Sequence, residues 1–350
     1  MIIQAVDLFC GAGGLTYGLN NVGIRVTHGI DIDSACKFPI EYNNKNTTFV
    51  ERSITDITGK EISSFFKKDT IRLIAGCAPC QPFSKYSSST KKDKNDQKWA
   101  LLSEFGRIVN DVKPELVTME NVPQLRDHNV FKEFVNTLKN TGYNLWYDVV
   151  NCSDYGLPQN RRRLILVGSL LSNIELIPIT HTKDRRNTVY KAIGKLPPIE
   201  AGVKNEKDIL HSSPSLSKIN MQRIRSSTPG GTWKDWPKEL LAKCHQKNSG
   251  ATYISVYGRM EWNSTSPTIT TQCYGYGNGR FGHPEQNRAI TLREAAILQS
   301  FPKKYRFIDK KTPFSFRKLG TMIGNAVPVT IGEIIGRSFI RHIESLNIPD

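Results

Sequence analysis

The segment that most constrains the fold is GCAPCQPFS, Gly76 to Ser84, which follows the apolar run Ile71 to Ala75. A short apolar run that ends at glycine is typical of a buried strand. The turn after it cannot be helical, because Pro79 and Pro82 each fix their own φ and push the preceding residue away from the α region. Cys80 is therefore predicted to lie on a stiff turn at the carboxyl end of a strand, the edge where ligands bind in open α/β sheets.

The spacing Cys77-x-x-Cys80 also suits a redox pair or half of a zinc site. A zinc site would need a second CxxC or a His-x3-5-His, but the remaining cysteines, at 10, 36, 152, 244 and 273, are scattered. A thioredoxin-type motif runs on into a helix, whereas Pro82 and polar residues follow here. We interpret Cys80 as a nucleophile, with redox or metal use as the alternative.

The start of the chain is predicted to be a strand, a glycine turn and a helix. Residues 2 to 9 are mostly apolar, CGAGG follows, and Leu15, Leu19 and Val22 then recur at helical spacing. Such a turn lets a ligand approach the backbone, with helix amides directed at it. A purely structural glycine turn is equally consistent, because the glycines do not fit GxGxxG.

Acidic residues are predicted at the ends of the next two strands. The strand Arg25 to Ile30 ends before Asp31, and an acid at that position can accept hydrogen bonds from ribose hydroxyls. The alternative is that Asp31 or Asp33 caps the following helix. A third strand is predicted to end in Ser53 to Ile57, which leaves Asp56 at the same edge.

Glu120 follows a predicted strand, Glu115 to Met119, which comes after a predicted helix, Leu101 to Val112. A carboxylate at the end of a strand beside the strand of the cysteine is a candidate general acid. A helix cap or a surface acid is the alternative.

Three consecutive arginines open a further apolar strand, after the predicted strand Leu145 to Val150. Alternation along an extended strand directs Arg161 and Arg163 to one face and Arg162 to the other. Guanidinium groups on one face suit pairing with a carboxylate or a phosphate. The alternative is a basic strand end that faces water.

From about Leu171 to Gln286 the alternation of strands and helices stops. Turn dipeptides and alternating Thr and Ile predict short strands and long loops in a second, smaller domain. Its basic and aromatic residues suit nucleic-acid contact, although irregular domains have this composition without binding anything. Helical periodicity returns in Thr291 to Phe301, with Thr291 as the predicted cap, and in Ile331 to Ile343.

Length and charge bound the function. The 350 residues suggest roughly two domains, and 48 Lys and Arg against 32 Asp and Glu give a net charge of +16, which favours a polyanionic partner. No apolar run reaches the roughly 18 residues of a membrane span, and the first residues lack the pattern of a signal peptide. Seven cysteines, an odd number, predict reduced thiols in a cytoplasm.

Six segments together resemble the motifs of the cytosine-5 DNA methyltransferases, in that family's usual order. The resemblance implies an α/β fold, a Rossmann-like methyltransferase sheet with a smaller, irregular target-recognition domain. It divides the chain into a catalytic domain of 1–170 plus 287–350 and a target-recognition domain of 171–286. The six segments are DLFCGAGGL (7–15), GCAPCQPFS (76–84), ENV (120–122), QNRRR (159–163), RAITLREAAILQSFP (288–302) and GNAVP (324–328).

The resemblance also implies S-adenosylmethionine as the cofactor and no metal. Asp31 stands where the family often has Glu, and Cys77 where Gly or Ser is common. The polar segment Ser84 to Ala100 would close over an extruded base; a solvated surface loop is the alternative. The implied catalytic residues are Cys80, Glu120, Arg161 and Arg163; those at the cofactor are Phe9, Gly11, Ala12, Gly14, Leu15, Asp31, Ile32, Asp56, Ile57, Pro79, Leu101, Asn325 and Ala326; and those at DNA are Ser84, Lys85, Arg259, Thr270 and Arg280.

The function implied is methylation of carbon 5 of a flipped-out cytosine in a specific double-stranded DNA sequence, through a covalent Cys80 adduct. We expect a cytoplasmic monomer whose cognate restriction endonuclease is a genetic rather than a physical partner. The alternatives are an RNA cytosine-5 methyltransferase, although the Cys-Phe-Thr signature of that branch is absent, an inactive nucleic-acid-binding relative, and a nicotinamide dehydrogenase.

Overall fold

The computed structural model describes residues 2–79, 97–247, 250 and 252–346. Within them, seven strands form one sheet in the order β3-β2-β1-β4-β5-β7-β6. Strands β1 to β5 pair in parallel, and β7 runs antiparallel to both β5 and β6. The strands are β1 (Ile3–Leu8), β2 (Arg25–Asp31), β3 (Thr48–Glu51), β4 (Ile71–Gly76), β5 (Leu116–Asn121), β6 (Asn144–Asn151) and β7 (Arg162–Ser169).

Helices cover both faces of this sheet, which confirms the predicted α/β class. The helices are α1 (Gly14–Asn21), α2 (Lys37–Asn43), α3 (Gly59–Ser64), α4 (Gln97–Val112), α5 (Asn129–Asn140), α6 (Val189–Ile193), α7 (Lys218–Arg225), α8 (Leu292–Leu298), α9 (Phe316–Asn325) and α10 (Val329–Ser345).

The central strand β1 shows how the two faces are built. Its side chains alternate, as those of a strand must. Val6 and Leu8 belong to a core cluster with residues of α3, α4 and α5, whereas Ile3 and Ala5 belong to a second cluster with residues of α1 and α10. All four side chains are buried, and so are Gln4 and Asp7, the two polar residues of β1.

The third strand is shorter than predicted. It ends at Glu51, and Ile54–Asp56 form a 3₁₀ turn instead. The side chain of Ser53 accepts a hydrogen bond from the backbone N–H of Thr55 and so caps this turn. Serine often satisfies a nearby backbone donor in this way, at the expense of a sheet ladder.

Region 171–286 is less regular than predicted. The described residues of this region form only isolated β-bridges rather than strands. Side chains there donate hydrogen bonds to backbone carbonyls that have no strand partner. Arg259 alone donates to four of these carbonyls. One apolar cluster includes Val189 and Met260 together with Leu292 and Phe301, so packing continues across the predicted boundary at 286/287.

Helix α8 begins as predicted. Thr291 caps it through a capping box, in which its side chain accepts from Glu294 N while the carboxylate of Glu294 accepts from Thr291 N. The helix is shorter than predicted and ends at Leu298, before Ser300 with a left-handed φ of 62°. Among the described residues, the segment Phe316–Ser345 is long and apolar enough to cross a membrane, but 72% of its apolar 18-residue window is buried within the fold.

Candidate active site

The ends of four neighbouring strands meet at one edge of the sheet. Leu8 pairs with Ile30 of β2 and with Gly76 of β4, and Gly76 pairs with Met119 of β5. Because these strands are parallel, the residues that follow them lie along the same edge. The sequence-predicted Phe9, Asp31, Pro79 and Glu120 follow these pairs; Cys80, Ser84 and Lys85 lie outside the described residues.

The glycine turn after β1 opens toward this edge. Phe9 has a left-handed φ of 61°, which ends the strand, and Gly11 has a φ of 51°. A side chain at Gly11 would meet no atom within 4 Å, so the space beside its backbone is open. The N–H of Gly11 donates to Asp31 Oδ2 over 2.9 Å, which ties the turn to the end of β2.

Asp31 keeps acceptor capacity at the edge. Its second oxygen, Oδ1, accepts from the N–H of Asp33 over 3.0 Å, and burial raises the pKa of the Asp31 carboxyl. A carboxylate offers about four lone-pair sites, so two N–H donors leave room for ribose hydroxyls. The following 3₁₀ turn is capped by Asp33, whose side chain accepts from Ala35 N. The cap and the candidate ribose acceptor are therefore different residues.

The second half of the glycine turn faces the interior. A Cβ on Gly14 would lie 1.9 Å from the carbonyl oxygen of Val327, so only glycine lets the GNAVP segment dock there. Leu15 is 3% exposed and belongs to the core. Of this turn, Gly11 is open toward a ligand, whereas Gly14 is in contact with the C-terminal segment.

The other residues expected at the cofactor differ in exposure. Ile32 is 72% exposed, while Ile57 is 1% exposed and packs into the core. Of the adjacent pair Asp56 and Ile57, only Asp56 is therefore exposed. Among the rest, Pro79 and Asn325 are exposed, Phe9 and Leu101 are half-buried, and Ala12 and Ala326 are buried.

Glu120 forms the centre of the predicted catalytic group. Its side chain is 3% exposed, and Arg163 Nε lies 2.9 Å from Glu120 Oε1 in an ion pair. The thiol of Cys77 donates to the other oxygen, Oε2, over 3.0 Å. Next to it, Asn121 Nδ2 donates to the carbonyl oxygen of Ala78 over 3.1 Å and connects the end of β5 to the segment that leads to the predicted nucleophile.

The two arginines that were predicted to share a face have different surroundings. Arg163 pairs with Glu120, whereas Arg161 is 2% exposed and donates to the carbonyl oxygens of Ile269, Gly324 and Ala326. Burial and the charge of Arg163 lower the pKa of Arg161 to about 9. Arg161 therefore joins β7 to two later segments of the chain, and a catalytic role for it stays a prediction. Arg162 is exposed, as alternation requires.

A second acid, Asp7, lies buried beneath the edge. Thr16 Oγ1 donates to Asp7 Oδ2 over 2.5 Å, and Oδ1 has no hydrogen-bond partner among the described residues. Burial raises the pKa of Asp7 to about 7, and the hydrogen bond from Thr16 only partly opposes this effect.

The residues expected to contact DNA are also distinct. Arg259 is 5% exposed, and every one of its N–H groups is directed at the protein, to carbonyl oxygens of Ile224, Ser227, His283 and Gln286 and to Asn287 Oδ1. In this structure the donors of Arg259 are therefore occupied by the protein itself, and its contact with DNA stays a prediction. Arg280 is half-buried and donates to Gly231 O over 2.6 Å, and Thr270 is half-buried against Gly324.

Two residues of the site were not among the sequence-predicted ones. Cys77 and Asn121 contact the catalytic group, and both lie next to predicted strand ends, which was the available signal. Their partners, Glu120 and Ala78, are each 43 residues away in sequence. Among the described residues, no cluster of His, Cys, Asp and Glu could hold a metal ion.

Similarity to known proteins extends over nearly the whole chain. The model of the C-5 cytosine-specific DNA methylase family matches residues 3–341. The chain is 48% identical to the Type II methylase M.HgiDII of Herpetosiphon aurantiacus, over 99% of this chain and 98% of that protein. It is 28% identical to the Type II methyltransferase M1.HphI of Haemophilus parahaemolyticus, over 97% and 87% respectively. A candidate DNA modification methyltransferase from an Escherichia coli prophage has a similar structure, with a TM-score of 0.74, 23% identity and coverage of 98% and 99%.

Proposed function

This chain belongs to the C-5 cytosine-specific DNA methylase family and is a DNA (cytosine-5-)-methyltransferase, and from that premise we propose how it acts. The methyl group passes from S-adenosylmethionine to carbon 5 of a cytosine that has left a specific double-stranded sequence. The protein protects DNA as one half of a restriction–modification system. It works in the cytoplasm, as a monomer.

The observation that carries this proposal is the buried carboxyl group of Glu120, held between Arg163 and Cys77 at the carboxyl edge of the sheet. An acid that is shielded from water and fixed in orientation is suited to proton transfer with a ring nitrogen. The neighbouring strand β4 leads, within four residues of chain, to Cys80. Chain connectivity therefore supports a thiol and an acid at the same edge.

The reaction needs both groups, because carbon 5 of cytosine is a weak nucleophile. The Cys80 thiolate bonds to carbon 6 while Glu120 gives a proton to ring nitrogen 3, and electron density moves to carbon 5. Carbon 5 bonds to the methyl group as the bond between that methyl group and its sulfonium sulfur breaks. A base then removes the proton from carbon 5, the electron pair of that C–H bond restores the double bond between carbons 5 and 6 as the bond from carbon 6 to sulfur breaks, and that bond's electron pair returns to Cys80. Nitrogen 3 returns its proton to Glu120. Arg163 orients Glu120 throughout.

The open side of the glycine turn fits the proposed cofactor. Gly11 leaves space beside its backbone, and Asp31 retains lone pairs next to that space. Asp31 would hold the ribose hydroxyls, and Ile32 and Asp56 expose their side chains along the same edge. When bound there, S-adenosylmethionine supplies an activated methyl group on a sulfonium.

The proposed substrate is duplex DNA, and its target base must be extruded, at a cost of a few kcal/mol, because the reacting atoms are covered by stacking inside the helix. The net charge of +16 supports binding to a phosphate backbone. Region 171–286 would read the flanking sequence. Its described part consists of short helices and turns, so the direction of its side chains is not set by the alternation of a strand.

The decisive experiment compares Cys80→Ser with Cys244→Ser, a control at an exposed cysteine outside the site. We expect Cys80→Ser to lose methyl transfer from labelled S-adenosylmethionine to unmethylated genomic DNA, while it still binds DNA and cofactor. Cys244→Ser should retain turnover. Near-normal turnover by Cys80→Ser would exclude the covalent mechanism.

Bisulfite sequencing of DNA from an expressing host would next give the target sequence. A duplex with that sequence and 5-fluorocytosine at the target should trap the enzyme, since fluorine at carbon 5 cannot leave as a proton does. The wild-type chain should form a conjugate through Cys80 only with cofactor present, and total tRNA should accept no methyl groups. Absence of a conjugate would contradict the adduct.

A further inference from the structure

We propose that Cys77 is a positioning residue for Glu120. The sulfur of Cys77 determines which carboxyl oxygen of Glu120 carries the transferred proton. The proposal rests on the proposed role of Glu120 as the acid. It arises from one contact, the thiol of Cys77 donating to Glu120 Oε2 over 3.0 Å.

The two oxygens of Glu120 have chemically different neighbours. Arg163 Nε lies 2.9 Å from Oε1 in an ion pair, and the positive charge of this guanidinium disfavours a proton on that oxygen. The sulfur beside Oε2 is a weak donor and also a weak acceptor, and it tolerates either protonation state of that oxygen. The proton therefore resides on Oε2, and the contact with the thiol favours this orientation of the carboxyl group over the rotated one.

The backbone around Cys77 fixes this arrangement. Cys77 comes directly after β4, its N–H donates to Leu8 O over 3.4 Å, and the next residue, Ala78, accepts from Asn121 Nδ2. A cysteine side chain has one torsion that moves its sulfur, so little conformational entropy is lost in holding it there. Two neighbouring strand ends thus hold the thiol and the carboxyl group in register.

Packing is the competing explanation, because Cys77 also lies against the core cluster that contains Ala75 and Cys152. A packing role depends on the volume of the side chain, whereas a positioning role depends on its hydrogen-bonding capacity. Serine retains a donor and acceptor, and alanine removes both. The pair Cys77→Ser and Cys77→Ala therefore separates the two roles.

We expect Cys77→Ala to lower kcat about three- to ten-fold, the loss of roughly one hydrogen bond from the transition state, with KM for S-adenosylmethionine and for unmethylated plasmid DNA within about two-fold. Cys77→Ser should restore kcat to within about three-fold of the wild type. Ser345→Ala, at an exposed residue at the end of α10, is the control and should not change kcat. Thermal unfolding of every variant checks that the fold is retained.

A double-mutant cycle with Glu120→Gln completes the test. If Cys77 acts through Glu120, adding Cys77→Ala to Glu120→Gln causes little further loss of kcat. Equal losses of kcat by Cys77→Ala in both backgrounds, or a Cys77→Ser variant as slow as Cys77→Ala, would overturn the proposal in favour of packing. If Glu120→Gln itself turned over normally, the proposed acid would be wrong, which is a separate result.

Discussion

Two buried carboxylates, each paired with an arginine, have different surroundings in this molecule. Glu294 is 1% exposed and receives two parallel hydrogen bonds of 2.7 Å from Arg288, together with the backbone N–H of Thr291. Glu120 is as deeply buried, but it has a single arginine nitrogen on one oxygen and a thiol on the other. The first carboxylate is fully satisfied, whereas the second retains capacity for a substrate.

Their positions explain this difference. Glu294 lies in the junction where α8 and its neighbours pack on the rest of the chain, and Glu120 lies where parallel strands end. Burial alone would raise the pKa of Glu294, but the hydrogen bonds and charge of Arg288 outweigh it and hold the pKa below its usual value. A well-bonded buried ion pair maintains structure, while a sparsely bonded one at a sheet edge is available for chemistry.

The largest effect should come from Glu120→Gln, which keeps the shape of the side chain and removes its acidity. We expect kcat to fall by about 10² to 10⁴, the usual contribution of a general acid, with a much smaller change in duplex binding. Methyl incorporation and a DNA-binding titration measure the two quantities. Glu115→Gln, at the start of β5 and paired with Arg72, is the control and should retain kcat. Equal losses of rate and binding would indicate a structural role for Glu120.

For Glu294→Gln the comparison predicts a loss of stability with little change in kcat. This change leaves the buried guanidinium of Arg288 without its counter-charge, which costs about 3–5 kcal/mol of unfolding free energy. Urea unfolding should show this loss, while kcat per folded molecule stays within about two-fold well below the unfolding temperature. Asp148→Asn, in the exposed pair with Arg126, should cost less than about 1 kcal/mol. A stable but inactive Glu294→Gln enzyme would remove the distinction between the two regions.

A smaller effect on stability, which depends on pH, is expected from substitution of Asp7. Its pKa in the folded protein is raised to about 7, above its ordinary 3.8, so its favourable contribution is complete below about pH 4 and is lost as the pH rises to about 7. Asp7→Asn cannot ionise, and its stability should exceed that of the wild type increasingly over this range, by roughly 2–4 kcal/mol.

Urea unfolding at pH 4.5, 6.0 and 7.5 measures this divergence. Glu294 has the opposite sign, because its pKa is lowered, and its contribution is lost only as the pH falls into the acid range. Parallel stability curves for the wild type and Asp7→Asn would mean that Asp7 is not held neutral by burial.

Local patterns predicted much of the fold. Strands β1, β2 and β4 follow from short apolar runs, and the capping box at Thr291 follows from residue types three positions apart. The shared edge of Asp31 and Glu120 follows from the rule that parallel strands end together. Each strand and the capping box depend on residues close in sequence, and for that reason they are visible in the sequence.

The different surroundings of Arg161 and Arg163 could not be predicted in the same way. Strand alternation assigns them to one face, but Arg161 is surrounded by carbonyls that lie more than 100 residues away along the chain. The resemblance implied Arg259 at DNA, but it could not show that this side chain is the centre of a buried hydrogen-bond network. A residue type indicates what a side chain can bond to, and distant segments decide what it does bond to.

The sequence by itself determined the α/β sheet, the edge at which its candidate site lies and the family to which the chain belongs, because these are encoded in local periodicity and in short motifs. Only the tertiary structure decided that Cys77 and Arg163 hold opposite oxygens of Glu120, and that Gly14 is required by the carbonyl of Val327 rather than by open space. Hydrogen bonds and close contacts act over about 3 Å, so they are defined only once segments far apart in the chain are packed together.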